Sequence, residues 1–336
     1  RGRIYLIKSA LEQNHFSQKS LTHMDRCLTC RSCETTCPSG VEYGQLLEIG
    51  REMMESKRGK LQALYRYIVR KTLLTPLLFR PIGYFLRHSK VSSKPIKPNT
   101  IDSSVLLMGG CVQPSLAPNI NHSIKNILAK LNIEVRESSQ SECCGALDQH
   151  LAASNDALKK VKRNIDTWIS QLDSGVEAII SSASGCGIMI KDYPNLFEES
   201  DPYYEKALLV SSKTKDIAEF LANKDLSMLN LKELNISYHE PCTMQHGQKL
   251  GGLVESILSD FGYIKKTVKD SHICCGSAGT YSIFETKIAN QLRSEKIENL
   301  NASKPKMIVT SNIGCLMHLQ KGSSIPVKHW VELLDV

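Results

Sequence analysis

The 336-residue chain has no long uninterrupted apolar run. Its most apolar stretch, residues 73–86, contains Pro76, Arg80 and Pro81, so it falls short of the roughly 18 uncharged residues that a membrane-spanning helix requires. The sequence therefore predicts no transmembrane helix. Aromatic residues make up only 6% of the chain, but a hydrophobic fraction of 41% excludes an intrinsically disordered protein. The length allows two or more packed domains.

Motifs for nucleotide binding and hydrolysis are also missing. The sequence contains no Gly-x-Gly-x-x-Gly fingerprint, no phosphate-binding loop and no hydrolase-like triad signature. We therefore expect the chain to carry no flavin site, no substrate site and no catalytic residue of its own.

Acidic residues are scarce in residues 51–100, which hold 12 Lys or Arg and 2 Glu. This segment has a net charge of +10, against +8 for the whole chain, so the basic character is local and we expect no nucleic-acid partner. Apolar and basic residues alternate at helical spacing at Leu61, Leu64, Tyr65, Ile68 and Val69 and at Arg58, Arg66 and Arg70. The pattern predicts a basic amphipathic helix. Its apolar stripe is expected to pack on the protein or on a partner subunit, or the helix docks on an anionic membrane surface.

The run of lysines and prolines from Ser89 to Thr100 predicts a linker after this helix.

Cysteine is abundant, with twelve residues in the chain. Two pairs, Cys143 with Cys144 and Cys274 with Cys275, are neighbours in sequence. A reducing cytosol disfavours disulfides, so metal binding is the better explanation for this number of cysteines.

Four cysteines form a ferredoxin-like motif at positions 27, 30, 33 and 37. Two-residue gaps direct three thiolates at one cubane cluster, while the fourth cysteine, before Pro38, ligates the other cluster in two-cluster ferredoxins. Zinc ribbons separate their two Cys-x-x-Cys hooks by a longer interval. We therefore predict that Cys27, Cys30, Cys33 and Cys37 bind 4Fe-4S clusters. Because residues 1–26 contain no cysteine, we expect a second such motif upstream of Arg1, and two ferredoxin-type clusters in the full-length protein.

The other eight cysteines form two sets related by an offset of 131 residues. In each set the first and second cysteines are 32 residues apart, and a third cysteine and a glycine follow the second directly. The fourth cysteine comes 42 residues after the third in the first set and 40 residues after it in the second. The sets are Cys111, Cys143, Cys144 and Cys186, and Cys242, Cys274, Cys275 and Cys315. We expect each set to converge on an iron-sulfur cluster, with zinc or redox-active thiols as the alternative. Adjacent glycines, at 145, 187, 276 and 314, are expected to bring backbone N–H groups close to the sulfurs.

The sequence between the cysteines alternates strand-like and helix-like runs. Strands are predicted at 105–108, 176–181, 236–238 and 307–310, and helices at 119–131, 157–172, 253–261 and 284–300. The predicted fold class is α+β: a helical ferredoxin-type N-terminal domain followed by two homologous α/β Cys-Cys-Gly repeats, packed face to face about a pseudo-twofold axis. The predicted bounds are 1–50 for the ferredoxin-type domain, 51–100 for the basic helical segment and linker, 101–223 for the first repeat and 224–336 for the second.

A few other residues are candidates for a role near the cysteines. His239, His246 and His318 lie beside cysteines of the second repeat, and Met189 and His318 follow the last cysteine of each repeat by three residues. Each is a candidate ligand, although a histidine near a buried turn is more often a hydrogen-bonded structural residue.

The motifs together resemble a family of iron-sulfur proteins. It includes the glycolate oxidase iron-sulfur subunit, the C subunit of anaerobic glycerol-3-phosphate dehydrogenase, lactate-utilisation iron-sulfur proteins and the B subunit of heterodisulfide reductase. Four segments, residues 1–8, 26–43, 239–242 and 273–279, are most similar to the glycolate oxidase members. The resemblance implies an electron-transfer subunit without a substrate site, in a complex with FAD-binding dehydrogenase subunits that oxidise glycolate to glyoxylate. It also implies electron delivery to a membrane acceptor such as quinone, at the cytoplasmic face of the inner membrane.

Several functions stay open at this point. The complex could oxidise lactate or glycerol 3-phosphate instead of glycolate. The chain could also be catalytic, like heterodisulfide reductase, although that protein ends its repeats in Cys-x-x-Cys where this chain has Met189 and His318. A third function is a scaffold with structural clusters whose basic segment binds membrane or nucleic acid.

Overall fold

The computed structural model describes residues 2–13, 16–89, 91, 94–229, 234–265 and 267–335. Arg1 and Lys90, the latter counted in the basic segment, lie outside the described residues. Among the helices described, none has both the length and the apolarity to cross a bilayer.

The N-terminal part is helical, as predicted. In the described residues it contains six helices, α1 Gly2–Gln13, α2 Gln18–Asp25, α3 Ser32–Thr36, α4 Tyr43–Glu55, α5 Lys60–Leu74 and α6 Pro76–Phe85. A small core of buried side chains from α1, α2 and α4, among them Ile7, Leu21 and Leu47, holds the first of these helices together.

Two four-stranded parallel sheets follow. Their strands are β1 Ser103–Leu107, β2 Ile133–Arg136, β3 Ile179–Ser181, β4 Thr214–Asp216, β5 Asn235–His239, β6 Ile264–Lys265, β7 Met307–Thr310 and β8 Val327–His329. The first sheet has the order β2-β1-β3-β4 and the second the matching order β6-β5-β7-β8. The mixed helical and parallel-sheet class with two homologous repeats is therefore confirmed.

Helices connect the strands of both sheets. They are α7 Gln113–Leu116, α8 Pro118–Lys130, α9 Ala146–His150, α10 Ser154–Asp173, α11 Ser184–Lys191, α12 Tyr204–Lys213, α13 Ile217–Leu221, α14 Leu253–Asp260, α15 Tyr281–Phe284, α16 Thr286–Asn301 and α17 Ile313–Gln320. Short 3₁₀ helices span Tyr193–Leu196 and Trp330–Leu333, and a π-helix spans Thr243–Gly247. The four predicted strands and four predicted helices lie at these places, with ends shifted by a few residues.

The two repeats share one hydrophobic core, which includes Val105 and Ile124 of the first repeat and Ile236 and Leu316 of the second. Their contacts are reciprocal: α8 of the first repeat packs on the 3₁₀ helix of the second, and α14 of the second packs on α13 of the first. Reciprocal pairs of equivalent elements are what a pseudo-twofold axis generates, in agreement with the predicted face-to-face packing.

The apolar stripe of helix α5 is largely exposed instead of packing on the described part of the chain, which was one of the predicted alternatives. Arg66 and Arg70 are each only 8% exposed, whereas Leu61 is 84% exposed and Ile68 52% exposed. The arginines point inward because they pair with carboxylates of the protein. Arg66 lies 3.4 Å from Asp25, and its guanidinium also stacks on the phenyl ring of Phe284. The interpretation of this helix as a basic face toward an anionic surface is therefore wrong for these two arginines.

The opposite side of α5 continues into an exposed face of α6, and we call the two together the α5–α6 apolar surface. Its large exposed side chains are Leu61, Leu64, Tyr65, Tyr67, Ile68, Leu77, Leu78, Ile82, Tyr84, Phe85 and Leu86. Single exposed apolar residues are common on soluble proteins, but this many on two helices that contact each other are typical of a contact surface.

Candidate metal centres

The cysteines that open and close each repeat lie at the same edge of their sheet. Cys111 follows β1 and Cys186 follows β3, the two central strands; Cys242 and Cys315 follow β5 and β7 in the same way. The crossovers after these two strands run in opposite directions, to β2 and to β4 in the first sheet. Each set is therefore at a topological switch point, beyond the carboxyl ends of the strands, where open α/β sheets bind ligands.

The first set forms a continuous group of neighbouring thiols. A hydrogen bond with Cys111, and another with Cys144, hold the pKa of Cys143 well below its usual value. The same bond with Cys143, together with burial, raises the pKa of Cys111 well above its usual value. Cys144 in turn contacts Cys143 and Cys186, and both contacts raise its pKa. The fold thus brings together all four cysteines that the sequence grouped.

The second set repeats this arrangement. The thiol of Cys242 contacts Cys274, which raises the pKa of Cys242 well above normal. Cys275 contacts Cys274 and Cys315; the first contact lowers its pKa, but the second, with burial, leaves it well above the usual value. A ring nitrogen of His239 and the sulfurs of Cys275 and Cys315 all lie within 4.8 Å of one another.

These two sets fit a soft metal or an iron-sulfur cluster. All twelve cysteines belong to the described part of the chain, and all are free thiols. Hydrogen bonds with neighbouring thiols, and then burial, raise the pKa values of Cys111 and Cys144 in the first set and of Cys242 in the second, so four neighbouring thiolates in either set would be unfavourable without a cation. Iron or zinc supplies that positive charge, and soft thiolates are the ligands that such centres prefer.

The glycine of each Cys-Cys-Gly motif has a backbone conformation that other residues rarely adopt. The φ angle is +91° at Gly145 and +89° at Gly276. A Cβ at Gly276 would also lie 2.6 Å from the carbonyl oxygen of Ala289, so helix α16 packs directly on the bare glycine. The Gly276 N–H points to the Cys274 sulfur at 3.4 Å, and the Gly145 N–H lowers the pKa of Cys143 in the same way.

The other two glycines act differently from the prediction. The Gly314 N–H donates to the side chain of Asn312 at 2.8 Å, and the Gly187 N–H donates to the carbonyl of Ala183 at 3.0 Å. Both bonds belong to the first turn of a helix, so these N–H groups are occupied by helix capping and helix formation.

The remaining candidate ligands are mostly structural. His318 bonds through Nε2 to the Ala289 carbonyl oxygen at 3.2 Å, and His246 bonds through Nδ1 to Thr35 at 2.9 Å. Met189 is buried in the apolar core of the first repeat. Of the three histidines, His239 is the one grouped with cysteine sulfurs among the described residues.

The ferredoxin-like motif forms a tight loop before and around α3. Thr29 and Arg31, on either side of Cys30, have φ angles of +53° and +57°, a conformation in which the loop curls back on itself. Burial, and then the nearby charges of Cys30 and Cys27, raise the pKa of Cys33, so these three thiols lie together. Tyr43 donates a hydrogen bond to the Cys27 sulfur at 3.8 Å. The Cys37 N–H bonds to the Glu34 carbonyl at the end of α3.

This loop docks against both repeats. Helix α3 contacts the π-helix that starts directly after Cys242, which brings the motif close to the second set of cysteines. Burial raises the pKa of Cys30, and Cys242 and Cys27 add to that rise. Arg31 forms an ion pair with Asp192 at the end of α11, the helix that carries Cys186. Thr35 bonds to His246 of the second repeat. The N-terminal motif is therefore next to the second centre and connected to the helix of the first.

Sequence reasoning missed several residues that hold the cysteines in place. Asn164 accepts from the Glu142 N–H at 2.7 Å and donates to the Cys143 carbonyl at 3.1 Å, and Tyr193 donates to the Cys144 carbonyl at 3.0 Å. In the second repeat, Lys296 is 1% exposed. Burial lowers its pKa, and the charges of Cys242 and Cys275 oppose that shift. Nothing in the local sequence marks these residues, because their partners are far away along the chain.

Comparisons with known proteins agree with the paired cysteine sets. The family model of the cysteine-rich domain with the Cys-Cys-Gly motif matches twice, over residues 105–191 and 236–320. The two matches contain all eight repeat cysteines and both parallel-sheet switch points.

Full-length relatives give the same assignment. The chain is 41% identical to the glycolate oxidase iron-sulfur subunit of Escherichia coli K12, over 100% of this chain and 87% of that protein. It is 26% identical to the probable glycolate oxidase iron-sulfur subunit of Bacillus subtilis, over 96% and 82% of the two chains, and 26% identical to lactate utilization protein A of the same organism, over 69% and 98%. With both repeats matched and one relative 41% identical over the whole of this chain, the chain belongs to the family of Cys-Cys-Gly iron-sulfur proteins that includes the glycolate oxidase iron-sulfur subunit.

Proposed function

We propose that this chain is the iron-sulfur electron-transfer subunit of a dehydrogenase complex that oxidises glycolate to glyoxylate. The observation that supports it most is the contact between α3 and the π-helix directly after Cys242, including the hydrogen bond of Thr35 to His246, which puts a ferredoxin-like motif next to a second thiol centre. Adjacent redox centres form a path for electrons within one subunit. The similarity to glycolate oxidase iron-sulfur subunits supports the choice of substrate.

The proposed ligands divide into three groups. Cys27, Cys30, Cys33 and Cys37 would hold 4Fe-4S ferredoxin-type clusters, and each repeat would hold a further centre through its four cysteines. When bound, such a cluster takes up and releases one electron at a time. The chain's part is to bury the thiolates, to direct the N–H groups of Gly145 and Gly276 at sulfur, and to place the Lys296 ammonium beside the second centre.

The proposed electron donor is a separate FAD-binding subunit that removes the hydride from the hydroxy acid. This assignment is supported by the missing dinucleotide fingerprint in this chain and by the names of its relatives. Flavins take two electrons and clusters take one, so the complex would divide each hydride into two single transfers.

A test follows from purifying the chain with its co-purifying subunits under anaerobic conditions. Glycolate, added as the sole reductant, should bleach the visible iron-sulfur absorbance and produce the reduced-cluster paramagnetic signal. D-lactate, L-lactate and glycerol 3-phosphate serve as matched substrates, because similarity to lactate utilization protein A makes lactate the second candidate. Clusters that dithionite reduces but none of these substrates reduces would contradict the proposal.

We also propose that the α5–α6 apolar surface holds the complex on the cytoplasmic face of the membrane, near an acceptor such as quinone. Leucines and aromatic residues project from it, and the exposed cations Lys60, Arg80, Lys94 and Lys97 belong to the same segment. Residues 56–101 contain no Asp or Glu. Apolar side chains bordered by cations are typical of helices that lie in the interface of an anionic bilayer.

This placement predicts binding to vesicles that contain phosphatidylglycerol. Leu77→Ser combined with Phe85→Ser removes the two most exposed side chains of α6 and should abolish co-sedimentation, because the buried apolar area drives insertion. The control pair, Leu208→Ser with Leu209→Ser on α12, removes apolar groups of about 40% exposure and should leave binding unchanged. If the wild-type chain does not bind vesicles and the α6 variant instead loses the flavin subunit, the surface is a protein interface.

A further inference from the structure

The second repeat contains a buried histidine directly at its thiol centre. His239 is the last residue of β5 and is 2% exposed. A ring nitrogen of His239 lies within 4.8 Å of the sulfurs of Cys275 and Cys315. Cys275 is itself buried and Cys315 is partly exposed, so two of the three donor residues are shielded from solvent at the edge of the sheet.

The orientation of the ring is fixed by Thr310. Nδ1 of His239 bonds to the Thr310 hydroxyl at 3.0 Å, across the paired strands β5 and β7. Nε2 has no hydrogen-bond partner among the described residues, although its atom is buried. Metal-binding histidines show the same division: one nitrogen is held by a neighbouring oxygen, which sets the tautomer, and the other faces the metal. An unpaired buried nitrogen is otherwise unfavourable.

The first repeat has no equivalent donor. The offset of 131 that aligns the cysteines places Met108 opposite His239. Met108 ends the corresponding stretch after β1 and packs in the apolar core with Cys144. The two centres therefore differ by one side chain at an otherwise matched position.

We propose that His239 is a ligand of the second-repeat metal centre through Nε2, beside Cys275 and Cys315, so that the two repeats hold chemically different centres. The inference rests on the proposed binding of an iron-sulfur cluster at this set. A neutral imidazole at the second centre, with no counterpart at the first, gives the two centres different ligand sets, and ligand identity is one of the properties that set the reduction potential of an iron-sulfur centre. The two centres are therefore expected to have different reduction potentials.

The test is pulsed paramagnetic resonance on the anaerobically prepared full chain. Signals that disappear in Cys275→Ser belong to the second centre. In the wild type these signals should show strong ¹⁴N hyperfine coupling, which changes to ¹⁵N coupling when histidine is isotopically labelled. His239→Met, which installs the first-repeat residue, should remove the coupling and shift the reduction potential of the second centre, with its iron retained by the four cysteines. Met108→Leu, the matched control in the first repeat, should leave both unchanged.

The outcomes separate this inference from the proposed function. A second centre that contains iron but shows no strong nitrogen coupling, or a coupling that survives His239→Met, overturns the ligand assignment alone. An iron-free second set overturns the proposed function and this inference together. If His239→Met does not fold, His318→Gln and His246→Gln complete the test, because a ligand at His239 requires that neither removes the coupling.

Discussion

Cys30→Ser is expected to lower the iron and the acid-labile sulfide of the protein by about four atoms each, the content of one cubane cluster. Cys30 lies with Cys27 in the loop before α3, close to Cys33 in α3, and a cubane that loses one thiolate rarely keeps its composition. Because Cys30 is also close to Cys242, the reduced protein should lose the magnetic interaction between two adjacent centres. Iron and sulfide analysis and the paramagnetic spectrum of the anaerobic protein measure both effects.

Thr36→Ala is the matched control for this variant. Thr36 is in the same motif, next to Cys37, and its hydroxyl bonds only to the carbonyl of Ser32 at 2.9 Å among the hydrogen bonds described. Its iron content and spectrum should equal those of the wild type. Unchanged iron in Cys30→Ser, or equal losses in both variants, would show that the motif does not ligate a cluster through Cys30.

The cysteine arrangement was predictable because it depends on spacing. Strands that precede Cys111, Cys186, Cys242 and Cys315 are short apolar runs, and the carboxyl ends of neighbouring parallel strands meet at one sheet edge. The offset of 131 then requires the second set to repeat the first. The ligation itself, the ferredoxin-type character of the N-terminal helices and the four domain boundaries stay predictions.

The orientation of α5 was not predictable from local sequence. Helical periodicity separates an arginine side from an apolar side, but it does not say which side faces the protein. That depends on Asp25 and Asp148, which are 41 and 78 residues away from the arginines they bind. Apolar residues were expected to pack inward, since burial usually favours them. Here buried carboxylates that need a cation decide the orientation.

The sequence named His239 as one of three candidate ligands but could not single it out, for a related reason. Three histidines stand beside cysteines of the second repeat, and sequence distance alone does not separate them. The pairing of β5 with β7 places His239 opposite Thr310, which turns its ring toward Cys275 and Cys315. His246 and His318 are turned away by bonds to Thr35 and Ala289.

Arg70→Met is expected to lower the free energy of unfolding by about 3 kcal/mol, the cost of removing one partner from a buried ion pair. The Arg70 guanidinium lies 2.6 Å from Asp148 and 2.8 Å from Asp156. Asp148 is 1% exposed and lies in α9, directly after the first Cys-Cys-Gly motif. Methionine keeps most of the aliphatic packing of the arginine side chain, so the loss of unfolding free energy measures the contribution of the charge. Chemical denaturation followed by circular dichroism measures it.

Lys71→Met is the control that separates a buried pair from an exposed one. Lys71 binds the same Asp156 at 3.0 Å, but its side chain is 41% exposed and that of Asp156 is 34% exposed. Exposed pairs contribute about 0–1 kcal/mol, because water screens them and ordering long side chains costs entropy. Lys160, 2.5 Å from Asp148, stays in place in both variants, so it does not account for a difference between them. Equal destabilisation by Arg70→Met and Lys71→Met would mean that Asp148 is adequately neutralised by Lys160, and that the inward orientation of α5 is not maintained by the Arg70 pair.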